Sequence, residues 1–297
     1  MRETVAVLGP GAVGGSLAVR LLHGGVHTIC VPRPDMVGIL ALAGISLEIE
    51  GGAPLVLRPE VRDELSQPVH VLLVTVKAHQ LEEAIERIDP VSVESGVVVP
   101  LMNGLEHLDI LRERFGPRVA AGSISRFEAY RVGRVQIVQT TPSAVLTIAS
   151  SELTPEDLED TAAILRKSGA DVNVDQREKH VLWRKAARLA VLSAATAVTR
   201  RPVGSLREDR EWRPRLEAAI EEACAVAQAD GVTLLASSQW TMIADMDYDL
   251  TTSTARDVTA GRPSELDAIA GSVVRAGERL GVPTPVLTEL VAEALAA

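Results

Sequence analysis

The sequence lacks what a disulfide framework, a membrane span or a metal centre would need. Cys30 and Cys224 are the only cysteines. Two such residues, far apart, build no framework and read as small buried side chains in a reducing compartment. Basic residues are in deficit, with 30 Lys and Arg against 40 Asp and Glu, for a formal charge of −10. That balance argues against nucleic acid or an anionic membrane as the main partner, because either requires a basic face. It still leaves room for the local basic pocket that a phosphorylated cofactor needs. The longest apolar stretch, Leu189 to Val198, is too short to cross a bilayer. The first apolar run ends in a glycine turn rather than a small-residue cleavage site, so no signal peptide is expected and the cytoplasm is the default location. The six histidines (His23, His27, His70, His79, His107 and His180) lack ligand spacing. No metal motif, tandem repeat or low-complexity tract stands out, so no metal is expected.

What is present is ordinary globular material, 297 residues with 46% hydrophobic and 24% charged side chains. That is long enough for two domains with a core each. Thr4-Val-Ala-Val-Leu8 reads as a buried strand running into Gly9-Pro-Gly-Ala-Val-Gly-Gly15, and Ser16 to Leu22 reads as helix. Gly9, Gly11 and Gly14 have the G-x-G-x-x-G spacing of a dinucleotide site. The first serves the tight turn, the second the approach of a pyrophosphate, the third the packing of helix on strand. The pyrophosphate would rest on the unpaired N–H groups of that helix.

The second strand, Thr28-Ile-Cys-Val31, ends at Pro32 and is followed by Arg33. A carboxylate at this place binds the 2′-hydroxyl of NAD, whereas an Arg accommodates the 2′-phosphate of NADP. Arg33 therefore predicts NADP, although Asp35 offers a competing ribose ligand. Val69 to Val76 is a continuous β-branched run, as in a parallel strand covered on both faces, and it delivers Lys77. Val97 to Leu101 is another strand, followed by Met102-Asn103-Gly104. Lys77 and Asn103 thus fall beyond carboxyl ends of strands, where open α/β sheets bind ligands; as isolated features they read equally as a surface lysine and a turn-forming Asn-Gly. Val119 to Ala121, Val135 to Val138 and Leu146 to Ala149 read as later strands. Thr154 to Asp157 opens a helix, and Asp171 to Val174 closes the α/β part near residue 175. From His180 the pattern is helical throughout, with a break near Arg200-Arg201-Pro202, a shorter helix from Gln239 to Tyr248, and a capping box expected at Ser264 and Asp267.

A dinucleotide domain followed by an all-helical one suggests a dehydrogenase whose second domain provides the proton donor. Hydride transfer to a carbonyl develops charge on oxygen, so a cation or acid must stand there. Lys185, inside the apolar run Leu182 to Ala187, is the candidate, with Glu265 to hold or tune it. The same lysine also reads as a helix-edge residue snorkelling to water.

At these residues the sequence resembles the ketopantoate reductases, the NADPH-dependent 2-dehydropantoate 2-reductase family. The resemblance rests on the glycine turn, Arg33, Val74-Thr-Val-Lys-Ala78 with Gln80, and Asn103-Gly104. In the second half it rests on Leu182-Trp-Arg-Lys185, Ser253 with Asp257, and Gly261-Arg-Pro-Ser-Glu-Leu-Asp267. It implies an N-terminal Rossmann-type α/β domain (1–175) binding NADPH/NADP and a C-terminal helical domain (176–297) for substrate and catalysis, with the site in the cleft between them. It implies reduction of 2-dehydropantoate to (R)-pantoate, a step toward pantothenate and coenzyme A. Gly9, Pro10, Gly11, Ala12, Val13, Gly14, Arg33 and Lys77 would hold the cofactor, joined by Asn103 and Glu265. Asn103 and Ser253 would bind the substrate, Ser253 at its carboxylate, and Lys185 would be the general acid. Family members occur as homodimers through the helical domain and as monomers, and this sequence leaves the choice open.

The chain departs from the family where asparagines four and eight residues after the lysine line the substrate site. Here Leu189 and Ser193 stand in their place. Positions i, i+4 and i+8 share a helix face, so both changes bear on one pocket. Ser125-Arg126-Phe127 also departs from the more common small and polar pattern. Another NAD(P)H-dependent reductase, of a branched or larger 2-oxo acid, is therefore the alternative. A non-catalytic nucleotide-binding homologue ranks lower, because a binding module has no need of Lys185, Ser253 and Glu265.

Overall fold

The computed structural model describes residues 3–296. The chain divides into two units, Met1–Met102 with His107–Val181, and Asn103–Glu106 with Leu182–Ala297.

The first unit is α/β. Its strands in chain order are β1 (Thr4–Leu8), β2 (His27–Val31), β3 (Ile45–Ile49), β4 (Leu55–Leu57), β5 (Glu60–Val61) and β6 (Val71–Val74). There follow β7 (Val97–Pro100), β8 (Ala121–Ser125), β9 (Ala129–Val132), β10 (Gln136–Gln139), β11 (Val145–Ala149) and β12 (Asp171–Asp175). The principal sheet has the order β5-β2-β1-β6-β7, and every neighbouring pair is parallel. The strands β2, β1, β6 and β7 are apolar, rich in β-branched residues and almost wholly buried, which is what a parallel sheet under helices requires. Leu8 stands opposite Val31 and Val74, and Val74 opposite Pro100. Four strands thus finish level at their carboxyl ends. Strand order reverses at β1, since β2 lies on one side and β6 on the other, and that switch point is where such sheets bind ligands.

Two smaller sheets, β4-β3-β10-β9 and β12-β11-β8, complete this unit. The helix Ala12–His23 packs on strands of both the principal sheet and the first of these. Val119 makes only an isolated bridge to Val98, in place of the strand expected at Val119 to Ala121; the strand itself is β8, lengthened by antiparallel pairing with β11. β9 has no counterpart in the sequence reading. It exists because β10 pairs with both β9 and the distant β3, through a turn at Gly133 whose φ is 73°.

The second unit is helical. The helix Glu178–Thr199 enters it at Leu182 and buries Trp183, Ala187, Ala190, Val191 and Ala194. These side chains belong to the core of this unit, and Trp183 Nε1 donates to Asp230 Oδ2 at 2.7 Å. The helix Trp212–Ala229 contributes Leu216, Ile220, Ala223 and Val226 to the same core, and Pro285–Ala296 contributes Leu287 and Leu290. The short helix runs from Ala236 to Ala244 rather than from Gln239 to Tyr248. Arg207 Nη1 donates to the carbonyls of Ile243 (3.1 Å) and Met246 (2.6 Å), satisfying acceptors at that early end. The expected capping box at Ser264 and Asp267 is not formed. The segment opens instead as a π-helical turn, Asp267–Gly271, and Arg275 Nη1 takes the Asp267 carboxylate at 2.8 Å.

Candidate active site

In the first unit the switch point is built by the glycine turn. Gly9 has φ 80°, and its N–H donates to Val31 O at 3.0 Å, fastening the end of β1 to β2. A Cβ on Gly9 would collide with Val76, and one on Gly14 with the Thr75 hydroxyl and, at 2.9 Å, with Gly9 O. Thr75 Oγ1 donates to Leu8 O and Gly9 O at 3.1 and 2.8 Å, locking the turn to the end of β6. Gly11 differs, since a Cβ there would meet nothing nearer than Gly9 O at 3.9 Å. The backbone at Gly11 therefore faces open space. The first i→i−4 bond of the following helix is Gly15 N–H to Gly11 O at 2.9 Å, so the N–H groups of Ala12, Val13 and Gly14 precede the helical ladder. A crowded turn on one side and an open, N–H-rich helix start on the other fit the pyrophosphate of a dinucleotide. Lys77 lies half-buried just past β6, as the residue before the short turn Ala78–Gln80.

Arg33, just past β2, is exposed and sits 3.5 Å from Asp35 (Nε to Oδ1). The structure adds two arginines that sequence reasoning missed. Arg134 Nη2 reaches Asp35 Oδ2 at 3.3 Å, and Arg131 donates to the carbonyl of Arg134. Burial and then repulsion by Arg33 and Arg134 hold Arg131 below the usual guanidinium range, with Asp35 opposing. Three guanidiniums thus gather around one carboxylate. The chain as a whole is acidic, so this is a local concentration of positive charge suited to an anion.

In the second unit Lys185 is half-buried on the helix Glu178–Thr199. Burial lowers its pKa to about 8; the charge of Glu265 opposes that shift and Arg188 adds to it. Glu265 just precedes the π-helical turn. Asn103 belongs to this unit through the short loop Asn103–Glu106. Gly104 (φ 94°) comes so close to Ala268 that a Cβ would collide with its carbonyl. Arg275 holds Glu106 through Nε and Nη2 at 2.8 and 2.7 Å while also holding Asp267. The loop after β7 is therefore tied to the segment that follows Glu265.

Ser253 is exposed in the first turn of the helix Ser253–Thr259. Thr252 Oγ1 caps that helix at Ala255 N–H (3.1 Å) and meets Thr196 Oγ1 at 2.8 Å, bringing its start beside the lysine-bearing helix. Leu189 is half-buried one turn beyond Lys185, and Ser193 is fully buried another turn on. Ser193 Oγ has no hydrogen-bond partner among the described residues, nor has Thr254 Oγ1 beside Ser253. A buried hydroxyl without a partner calls for a ligand or water to meet it. The structure thus brings Lys185, Glu265, Ser253, Leu189, Ser193 and the Asn103 loop into one unit, and the glycine turn, Arg33 and Lys77 into the other.

The geometry can be set beside known proteins. The family model described as ketopantoate reductase PanE/ApbA matches residues 5–152, and that of its C-terminal part matches residues 177–296. A 2-dehydropantoate 2-reductase of Mycobacterium tuberculosis is 29% identical over 300 residues, covering 98% of this chain and 96% of its own. The crystal structure of a PanE/ApbA family ketopantoate reductase from Ralstonia eutropha JMP134 superposes with a TM-score of 0.89 at 28% identity, covering 99% of this chain and 98% of the other. D-mandelate dehydrogenase, solved with NADH and anilino(oxo)acetate, superposes at 0.90 with 19% identity over 99% of this chain and 98% of its own; that likeness is one of fold.

Proposed function

The chain belongs to the ketopantoate reductase family of oxidoreductases, and on that premise we propose that it catalyses the NADPH-dependent reduction of 2-dehydropantoate to (R)-pantoate, as a cytoplasmic enzyme. Residues 1–175 would hold the cofactor and 176–297 the substrate and proton donor. The observation that carries the reading is a half-buried lysine, its pKa lowered to about 8, set against Glu265 on a face that also presents Leu189 and Ser193.

NADPH, when bound, would supply the hydride needed at the carbonyl carbon. Lys185 donates the proton to the carbonyl oxygen as charge develops there, and solvent restores it afterwards. Desolvation makes the ammonium a stronger acid than a surface lysine, yet leaves it mostly protonated at neutral pH. Glu265 offsets part of that cost and orients the amine. The glycine turn and the helix N–H groups hold the pyrophosphate, and Arg33 with Arg131 and Arg134 takes the 2′-phosphate. Lys77 and Asn103 serve the nicotinamide end, and Ser253 donates to the substrate.

Leu189 favours a second reading, reduction of another branched or larger 2-oxo acid. An apolar side chain accepts methyl groups and offers a substrate hydroxyl nothing, and a lost amide contact of this kind removes discrimination. The test is NADPH oxidation with a panel of 2-oxo acids. The proposal expects 2-dehydropantoate to have the highest kcat/KM. Turnover only of a larger acid would move the assignment to the second reading, and no turnover of any would remove both.

A further inference from the structure

The helix that carries Lys185 presents a second cation one turn on, at Arg188, and its surroundings are unusual. The guanidinium is half-buried, yet its polar partners are all neutral. Nη1 donates to Gln239 Oε1 at 2.7 Å, approaches Met242 Sδ at 2.8 Å and contacts Arg184 O at 3.3 Å. Gln239 is itself buried, so this anchor is built into the helix Ala236–Ala244. All three contacts fall on one nitrogen. The Nε and Nη2 edge, the fork that matches a carboxylate with two parallel hydrogen bonds, meets no protein acceptor among the described residues.

Arg87 and Arg207, also half-buried, likewise use Nη1 alone, each on two backbone carbonyls, but several other half-buried arginines are settled differently. Arg112 holds Glu178 at 2.6 Å, Arg215 holds Glu293 at 2.6 Å and Arg275 holds Glu106 at 2.7 Å. Arg20 has no acidic partner among the described residues but spends Nε on Gln139 (3.2 Å) and Nη2 on Pro142 O (2.9 Å). Arg188 has neither solution, and the charges acting on it or beside it are Arg184 and Lys185. Glu265 acts on Lys185, whereas burial and the Arg184 charge act on Arg188. The neighbourhood therefore carries excess positive charge, and its best-placed fork is unspent.

We propose that Arg188 is the receptor for the carboxylate of the substrate, making the site selective for anionic 2-oxo acids over neutral ketones. The inference deepens the reductase reading and rests on it for the identity of the ligand. In a 2-oxo acid the carbonyl and the carboxylate are on adjacent carbons, so the proton donor and the carboxylate receptor must stand side by side. Helix positions i and i+3 provide that spacing, with Cβ atoms about 5–6 Å apart. Ser253 then contributes a neutral hydrogen bond to a group whose charge Arg188 balances.

The test compares 3,3-dimethyl-2-oxobutanoate with its methyl ester, which keeps the ketone and the branching but not the charge. Wild type, Arg188→Met and Arg188→Lys are assayed for NADPH-dependent reduction, and calorimetry measures binding of the acid to each NADP⁺-loaded protein. Arg188→Met should lose about 10- to 100-fold in kcat/KM for the acid, mainly through KM, as expected for a lost charged hydrogen-bond pair. The ester should change less than threefold, Arg188→Lys should fall between, and NADPH affinity should stay at the wild-type value in both variants. Equal losses for acid and ester, or no loss for the acid, would overturn the proposal and leave the reductase reading standing. Binding of the acid that depends on Arg188, with no reduction of it or of 2-dehydropantoate, would keep the carboxylate site and overturn the reductase reading. Wild type that neither binds nor reduces the acid would overturn the proposal.

Discussion

Replacing Arg33 by Ala removes one of three guanidiniums proposed to meet the 2′-phosphate, a group of charge near −2. A charge-assisted hydrogen bond contributes about 1.5–3 kcal/mol in a sheltered site and less where solvent screens it. Arg33 and Arg134 side chains are 60% and 62% exposed, which points to the lower end, about 1.4 kcal/mol or tenfold in Kd for each. Asp35 supplies a control of opposite sign. It lies 3.5 Å from Arg33 and 3.3 Å from Arg134, so a bound phosphate must share these cations with a carboxylate. Asp35→Asn should therefore tighten NADPH by about two- to fivefold, on the order of 0.5–1 kcal/mol. NADH, which lacks the phosphate, should change by less than twofold in Arg33→Ala, Arg134→Ala and Asp35→Asn alike. Titration of both cofactors into all four proteins by fluorescence quenching, at two salt concentrations, measures these differences. If Arg33→Ala weakened NADH as much as NADPH, or if wild type bound the two equally, the phosphate role would be refuted.

Leu189→Asn should raise the ratio of kcat/KM for 2-dehydropantoate over 3,3-dimethyl-2-oxobutanoate; a wild-type ratio already at about a thousandfold would show that another group replaces the amide. Ser193→Ala should keep or slightly raise the melting temperature of the ligand-free protein, because it deletes a buried hydroxyl with no partner among the described residues. A loss above about 1 kcal/mol there would mean that the hydroxyl is bonded after all. Glu222→Ala should destabilise folding by about 1–2 kcal/mol, since its carboxylate accepts from Val286 N and Leu287 N at 2.9 Å each and caps the last helix; unchanged denaturant midpoints would contradict this.

The parts legible in the sequence were those whose chemistry is local. The glycine turn is read from residues that must be small where strand meets helix, and Gly9 and Gly14 have no room for a side chain. Arg33, Lys77 and Asn103 follow strands directly, so finding the strands finds them. Lys185 was read from a lysine set inside an apolar run, and Leu189 and Ser193 from departures from the family pattern that helical spacing puts on the same face. Arg131 and Arg134 were not legible, because they approach Arg33 only once β10 has paired with β3, some ninety residues earlier in the chain. Arg188 was hidden for a different reason. In sequence it is one of three closely spaced cations, and its want of an acidic partner exists only in three dimensions. The capping box at Ser264 is absent because Asp267 begins a π-helical turn and its carboxylate accepts from Arg275, eight residues on.

The central claim is that Lys185 is the acid of a carbonyl reduction. The most direct measurement is the single-turnover rate of NADPH oxidation by 2-dehydropantoate between pH 6 and 10, in wild type and in Lys185→Ala. Lowering of the lysine pKa to about 8 means that the ammonium is the major form below that pH and is lost above it. The wild-type rate should be level on the acid side and fall about tenfold per pH unit above 8. Lys185→Ala should be slower by about 10²–10⁴-fold, without that break, at unchanged NADPH affinity. A wild-type rate level across the whole range, or a variant within a factor of a few of wild type, would contradict the account.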